Sequence, residues 1–233
     1  MDLPPLKTIG ILKAGGVTHL HHANSVITAC QFLRRGALLS RGTAERYKLY
    51  QTPQDSDDDD QYLGLWYDVF SDSVDIHQRA SRVNVYGPVL LVLDIEKIEA
   101  SYIGRLWVTK TNPLYWRKTS AERWFKSTDE LRKEFSYGDF GQMLVFRHVG
   151  GELPIRNALV EIILDDPKLE SGGIDLWSMA YGALQLAMTE GRMNVPIKKR
   201  ECGEGCRCEK QYLADWPRTK RMFFPQIHGM DAS

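Results

Sequence analysis

Five apolar residues in a row, Val89-Leu90-Leu91-Val92-Leu93, closed by Asp94, form the clearest structural signal in the chain. An unbroken β-branched and leucine run of this length predicts a strand buried on both faces, here over 88–94. Residues 105–109 alternate as a half-exposed strand does, and two more strands are predicted at 142–147 and 159–164. A helix is expected over 25–35, with Asn24 as its cap and Gly36 as its stop, running into a strand-like Ala37-Leu38-Leu39. Ser127 and Glu130 have capping-box spacing and open a short helix to Phe135. Asp175 caps an amphipathic helix over 175–190 that Gly191 ends. Residues 43–64 show no apolar period and read as a long loop, and 63–80 read as a short strand followed by a helix. Strands and helices mix without a βαβ rhythm, so the expected class is α+β.

At 233 residues, 43% hydrophobic and 26% charged, the chain can bury one ordinary globular core. The expected organisation is a main domain over 1–191 with a basic, Cys-containing extension over 192–233 packed on it. No apolar run approaches the roughly 20 residues of a membrane span, and the N-terminus lacks a signal-peptide profile, so a cytoplasmic location without a membrane partner is expected. Net charge is zero but segregated. Residues 55–75 carry eight Asp and no Lys or Arg, whereas 192–221 carry nine Lys or Arg against four acids. Such a basic stretch can hold phosphate, and Lys198, Lys199 and Arg200 are its candidate nucleic-acid contacts, with a solvated polar face as the alternative.

Three sets of residues carry candidate chemistry. His19, His21 and His22 precede the first helix, but no nearby Glu completes a hydrolase zinc triad. Asp68, Asp72, Asp75 and His77 could face one cleft and serve a metal-dependent nuclease, while the neighbouring Asp-rich run 55–60 reads as a solvated loop. Cys202, Cys206 and Cys208 offer three thiolates for a zinc ion, which needs a fourth ligand from His228 or Cys30; three reduced thiols in a basic loop are the alternative. Glycine-rich dinucleotide loops, P-loops, serine-elbow and His-Glu-x-x-His motifs do not occur, and Cys30 sits on an apolar helix face where a nucleophile is not expected.

Residues 17–42, "VTHLHHANSVITACQFLRRGALLSRG", resemble the N-terminal motif of the DarT-like ADP-ribosyltransferases, toxins that modify bases in DNA. The matching positions are Thr18-His19, Asn24, Gly36 and Leu38-Leu39-Ser40-Arg41, with about two extra residues between His19 and Asn24. The resemblance implies a split-sheet ADP-ribosyltransferase-like fold and NAD as cofactor. It also implies a NAD site of His19, Asn24, Ser40, Arg41 and Tyr67, with Arg46 as a further basic residue, and leaves His21 and His22 as bystanders. The family's catalytic Glu on a late strand finds Gln142 at its place, so the carboxylate would come from Asp139 or Glu152. A DNA or RNA substrate and an antitoxin or inhibitor protein are the implied partners, in a toxin–antitoxin or phage-defence setting. A metal-dependent nuclease and a non-catalytic nucleic-acid-binding protein are the alternatives.

Overall fold

The computed structural model describes residues 2–54, 56–101, 105–118, 120–147 and 149–225. The chain runs α1 (Pro5–Ala14), β1 (His19–Asn24), α2 (Val26–Arg35), β2 (Ala37–Leu39), α3 (Arg41–Arg46), α4 (Asp57–Tyr62), β3 (Val69–Ser71) and α5 (Ile76–Ala80). It continues through β4 (Val89–Asp94), α6 (Ile95–Ser101), β5 (Arg105–Val108), the single 3-10 turn Pro113–Tyr115, α7 (Thr128–Glu134), β6 (Leu144–Arg147), β7 (Glu152–Pro154) and β8 (Leu159–Leu164). A two-residue hairpin pair, β9 (Glu170–Ser171) and β10 (Ile174–Asp175), leads to α8 (Leu176–Glu190), β11 (Ile197–Lys199), α9 (Cys208–Ala214) and α10 (Trp216–Phe223).

The apolar run of β4 is fully buried from Val89 to Leu93, as a central strand must be, and lies between β1 and β8, antiparallel to both. Beyond β8, β11 pairs parallel to it, which gives a sheet ordered β1-β4-β8-β11. A second sheet, β3-β6-β5, is antiparallel throughout. The two meet at one isolated bridge, where His21 and Asp72 exchange both backbone hydrogen bonds at 2.9 Å. Away from that bridge they splay apart. The architecture is therefore α+β with a split sheet.

Helix α2 covers the larger sheet and packs against α8, burying Val26, Ala29, Cys30 and Leu33 in the main core. Gly36, left-handed at φ +68°, ends α2 and turns the chain into β2. The outer side of the smaller sheet holds a separate cluster, in which Trp124 meets Trp107 and Trp116 edge-on at 4.8 and 4.7 Å. Residues after 192 share the main core through Met193, Cys208, Tyr212, Met222 and Phe223.

Several sequence expectations need correction. Asn24 does not cap α2; it is the last residue of β1, and Ser25 holds the cap position. The segment read as a loop over 43–64 contains most of α3 and all of α4, because Ser40 caps the first and four successive Asp sit favourably in the first turn of the second. The strand expected over 142–147 begins only at Leu144. Asp55 and His228 lie outside the described residues.

Candidate active site

Where the two sheets separate, a cleft encloses about 910 Å³ of space, part of it open to solvent. One wall is β1, and the opposite wall is β3 with Asp68 and Asp72 at its ends. Thr28 and Phe32 of α2 form the floor, and Ser40, Arg41, Gln51, Gln54 and Ser56 close one side. Gly87 allows the wall to be this tight. A Cβ there would lie 2.1 Å from the Asn24 carbonyl oxygen, and its φ of +147° already excludes other residues.

Strand alternation decides which histidine reaches the cleft. His22 and Asn24, two residues apart, share a face of β1 and line it, whereas His19 pairs with Asp94 at the far end of the strand and bonds Thr18 Oγ1 at 3.0 Å. The resemblance pointed to His19; the structure puts His22 in the cleft instead. His22 Nδ1 donates to the Phe70 carbonyl at 2.7 Å, which leaves Nε2 as an acceptor. Burial holds this imidazole neutral, down to about 4, against the pull of the Phe70 carbonyl. The buried Asn24 amide nitrogen has no partner among the described residues. A neutral acceptor thus stands beside an unused donor.

Ser40 and Arg41 line the cleft as expected. Ser40 Oγ accepts from the Thr43 backbone, and Arg41 binds Asp57 and the Thr52 carbonyl, which ties Thr52 and Asp57 down beside the cleft. Tyr67 and Arg46 stand outside the cleft wall. Tyr67 covers Gly42 on the outer side of α3, and the Arg46 guanidinium lies 5.2 Å from the Tyr47 ring centre.

The proposed replacements for the missing carboxylate do not reach the cleft. Gln142 turns away, accepting from the Ser136 backbone at 2.7 Å with its amide toward the Glu134 carbonyl. Asp139 accepts from Gly141 N at 2.7 Å within its own turn, and Glu152 binds the Tyr47 hydroxyl. The carboxyls that do line the cleft are Asp60, Asp68 and Asp72. Burial pushes Asp60 and Asp68 up to about 6, the latter against the opposing pull of Arg147 2.9 Å away. Asp72 goes further, to about 7, through burial and then the charge of Asp75, and its carboxyl has no hydrogen-bond or ion-pair partner among the described residues.

The nuclease constellation is divided between two places. Asp68 and Asp72 line the cleft, but Asp75 caps α5 and binds Arg200, and the His77 ring faces the cysteines. The four cannot share one ion. Each member of the basic trio has an ionic partner: Lys198 with Glu161 and Lys199 with Asp166 at 2.9 Å, both lysines more than half exposed, and Arg200, 6% exposed, between Asp75 and Asp165. Arg200 is therefore a buried structural residue and not a phosphate contact. Cys30 is buried on α2 with its thiol pushed by burial up to about 11, which removes it as a nucleophile, and it lies outside the cluster that the other three cysteines form with His77.

Sequence reasoning missed His22 as a cleft residue, and it placed Asp72 in a cleft with Asp75 and His77, not with Asn24 and Arg41. The spacing of His22 from Asn24 held the first signal, once residues 19–24 are read as a strand and not as the approach to a helix. Among the described residues, no helix is long and apolar enough to cross a membrane.

No family model matches the chain, and no curated protein matches it. Among solved structures it is similar to Thermus sp. 2.9 DarT in complex with NAD+, with 12% identity over 79% of this chain and 96% of that one and a TM-score of 0.47. The same figures hold for that protein in complex with carba-NAD+. Its complex with ADP-ribosylated ssDNA matches at 15% identity, 79% and 94% coverage and a TM-score of 0.43.

Proposed function

We propose that the cleft binds NAD and that the protein transfers ADP-ribose from it to a base of a nucleic acid, DNA in the first instance. The observation that carries this reading is the meeting of His22, Asn24, Ser40, Arg41 and the unpartnered Asp72 in one cleft. Four of these five come from the 17–42 segment that carries the family resemblance.

The chemistry follows from the groups present. Asn24 and His22 offer one donor and one neutral acceptor, the pair a carboxamide needs, and so orient the nicotinamide. Arg41 supplies positive charge for the pyrophosphate, exchanging its bond to Asp57 for one to phosphate. The bond from nicotinamide nitrogen to ribose C1′ then breaks, nicotinamide leaves as a neutral molecule, and the sugar takes on oxocarbenium character. A carboxylate at Asp72 stabilises that positive charge from a low-dielectric wall. The base nitrogen attacks C1′ and releases its proton to the carboxylate or to water. A second groove of about 1090 Å³ adjoins the cleft, shares Gln54, Ser56, Tyr86 and Leu114 with it, and carries Arg218 and Arg221. We assign the acceptor strand to this groove. A toxin role with an inhibitor partner is consistent with such a reaction and belongs to the same proposal.

Thermal denaturation tests the cofactor half. Millimolar NAD is expected to raise the melting temperature of the wild type by mass action, and His22→Ala or Asn24→Ala to remove most of that shift. His19→Ala should keep it. Loss of the shift in His19→Ala with retention in His22→Ala would place the dinucleotide elsewhere.

A further inference from the structure

We infer that His77, Cys202, Cys206 and Cys208 form a closed structural zinc site, remote from the cleft chemistry. Their ligand atoms, one imidazole nitrogen and three sulfurs, all lie within 4.8 Å of one another. His77 Nε2 is 3.7 Å from Cys202 Sγ and 3.5 Å from Cys206 Sγ, and Cys202 Sγ is 3.4 Å from Cys208 Sγ. A tetrahedral zinc ion with Zn–S near 2.3 Å and Zn–N near 2.0–2.1 Å requires sulfur–sulfur edges of about 3.8 Å and sulfur–nitrogen edges of about 3.5 Å. The observed separations fall close to those edges. They are far from a disulfide, and all three thiols are free.

The surroundings are those a zinc histidine needs. His77 Nδ1 lies 2.8 Å from Asp165 Oδ2, an arrangement that keeps the ring proton on Nδ1 and turns the Nε2 lone pair toward the sulfurs. Asp165 is itself fixed by Arg200 and by the Tyr212 hydroxyl at 2.5 Å. The loop makes the tight return that Cys-x3-Cys-x-Cys demands: Gly205 has φ +80°, Cys206 N bonds Gly203 O, and Arg207 N bonds Ser81 O at the end of α5. Four protein ligands leave no open position for water, so the site is structural, and a three-thiolate, one-imidazole set selects zinc over the harder divalent ions.

The ion would join chain segments 125 residues apart. It would pin α5, which begins four residues after Asp72 of the cleft wall, to the loop that follows β11. The site does not depend on the proposed transferase reaction, and its test is separate.

Protein purified without chelator should contain one zinc per chain by elemental analysis. Cobalt(II) substituted for it should give the intense visible bands of a tetrahedral ion and thiolate charge-transfer absorption. Removing the metal should lower the melting temperature by roughly 10 °C. His77→Cys should retain the metal in an all-sulfur site, whereas Cys206→Ser should lose it. If Cys206→Ser cannot be obtained folded, the cobalt spectrum of the wild type decides alone. Metal-free protein with three freely titrating thiols, a Cys202–Cys208 disulfide, or an octahedral cobalt spectrum would each overturn the inference.

Discussion

Asp72→Asn is expected to reduce ADP-ribosyl transfer by on the order of 10²–10³-fold while making the protein more stable at neutral pH. The two effects have one cause. Asp72 is buried in the wall of the cleft without a partner among the described residues, and burial together with Asp75 raises its carboxyl to about 7. A carboxyl whose folded value is above its unfolded one gives stability that is complete below about pH 4 and is lost as pH rises through about 7. Above that, the fold carries an ionised, poorly solvated group. Asparagine removes it, so stability at pH 8 should rise by on the order of 2–4 kcal/mol and its fall between pH 4 and 8 should flatten. Activity should run the opposite way in the wild type, increasing through pH 7 as the carboxylate forms. Melting curves and NAD consumption against pH, on both proteins, check the pair of effects. A variant that is less stable and fully active would remove Asp72 from the mechanism.

Arg200→Met should cost about 3–5 kcal/mol of folding stability, because it leaves Asp75 and Asp165 facing each other in a buried space without their shared cation. Nucleic-acid affinity per folded molecule, and its salt dependence, should hardly change, since a side chain 6% exposed makes no phosphate contact. Urea denaturation and a salt titration of binding separate the two quantities. A steep loss of affinity with unchanged stability would restore the reading of Lys198-Lys199-Arg200 as a phosphate-binding stripe.

The strands that carry the core were legible because burial leaves a direct trace in residue type. Val89–Asp94 and Leu159–Leu164 are read from their apolar runs, and Asp175 with Gly191 marks both ends of α8. Short elements left a weaker trace. Helices α3 and α4 have six residues each, too few for a period; the Ser40 cap announces the first and the run of first-turn aspartates the second. Strand β1 was obscured because three histidines occupy positions where apolar residues normally declare a strand.

The site was legible in segment and in Asn24, Ser40 and Arg41, but not in its histidine. The stretch 17–42 supplies eight of the residues that line the cleft, from His22 to Arg41, yet the facing of β1, a tertiary fact, brings His22 and not His19 to it. The cysteine cluster was visible as three ligands from its spacing. Its fourth, His77, comes from a distant helix, a juxtaposition that no local pattern encodes. The ion pairs of the lysines at 198 and 199 were not legible because their acidic partners, Glu161 and Asp166, are more than thirty positions away in the chain.

The most direct test of the proposed reaction is incubation of the purified protein with NAD labelled in the adenylate moiety and a panel of single-stranded DNA, RNA and protein acceptors. Label is expected on the nucleic acid, with one nicotinamide released per ADP-ribose attached and with both products lost in His22→Ala and Asp72→Asn. Unconsumed NAD with every acceptor, or magnesium-dependent cleavage of the DNA in its place, would contradict the account.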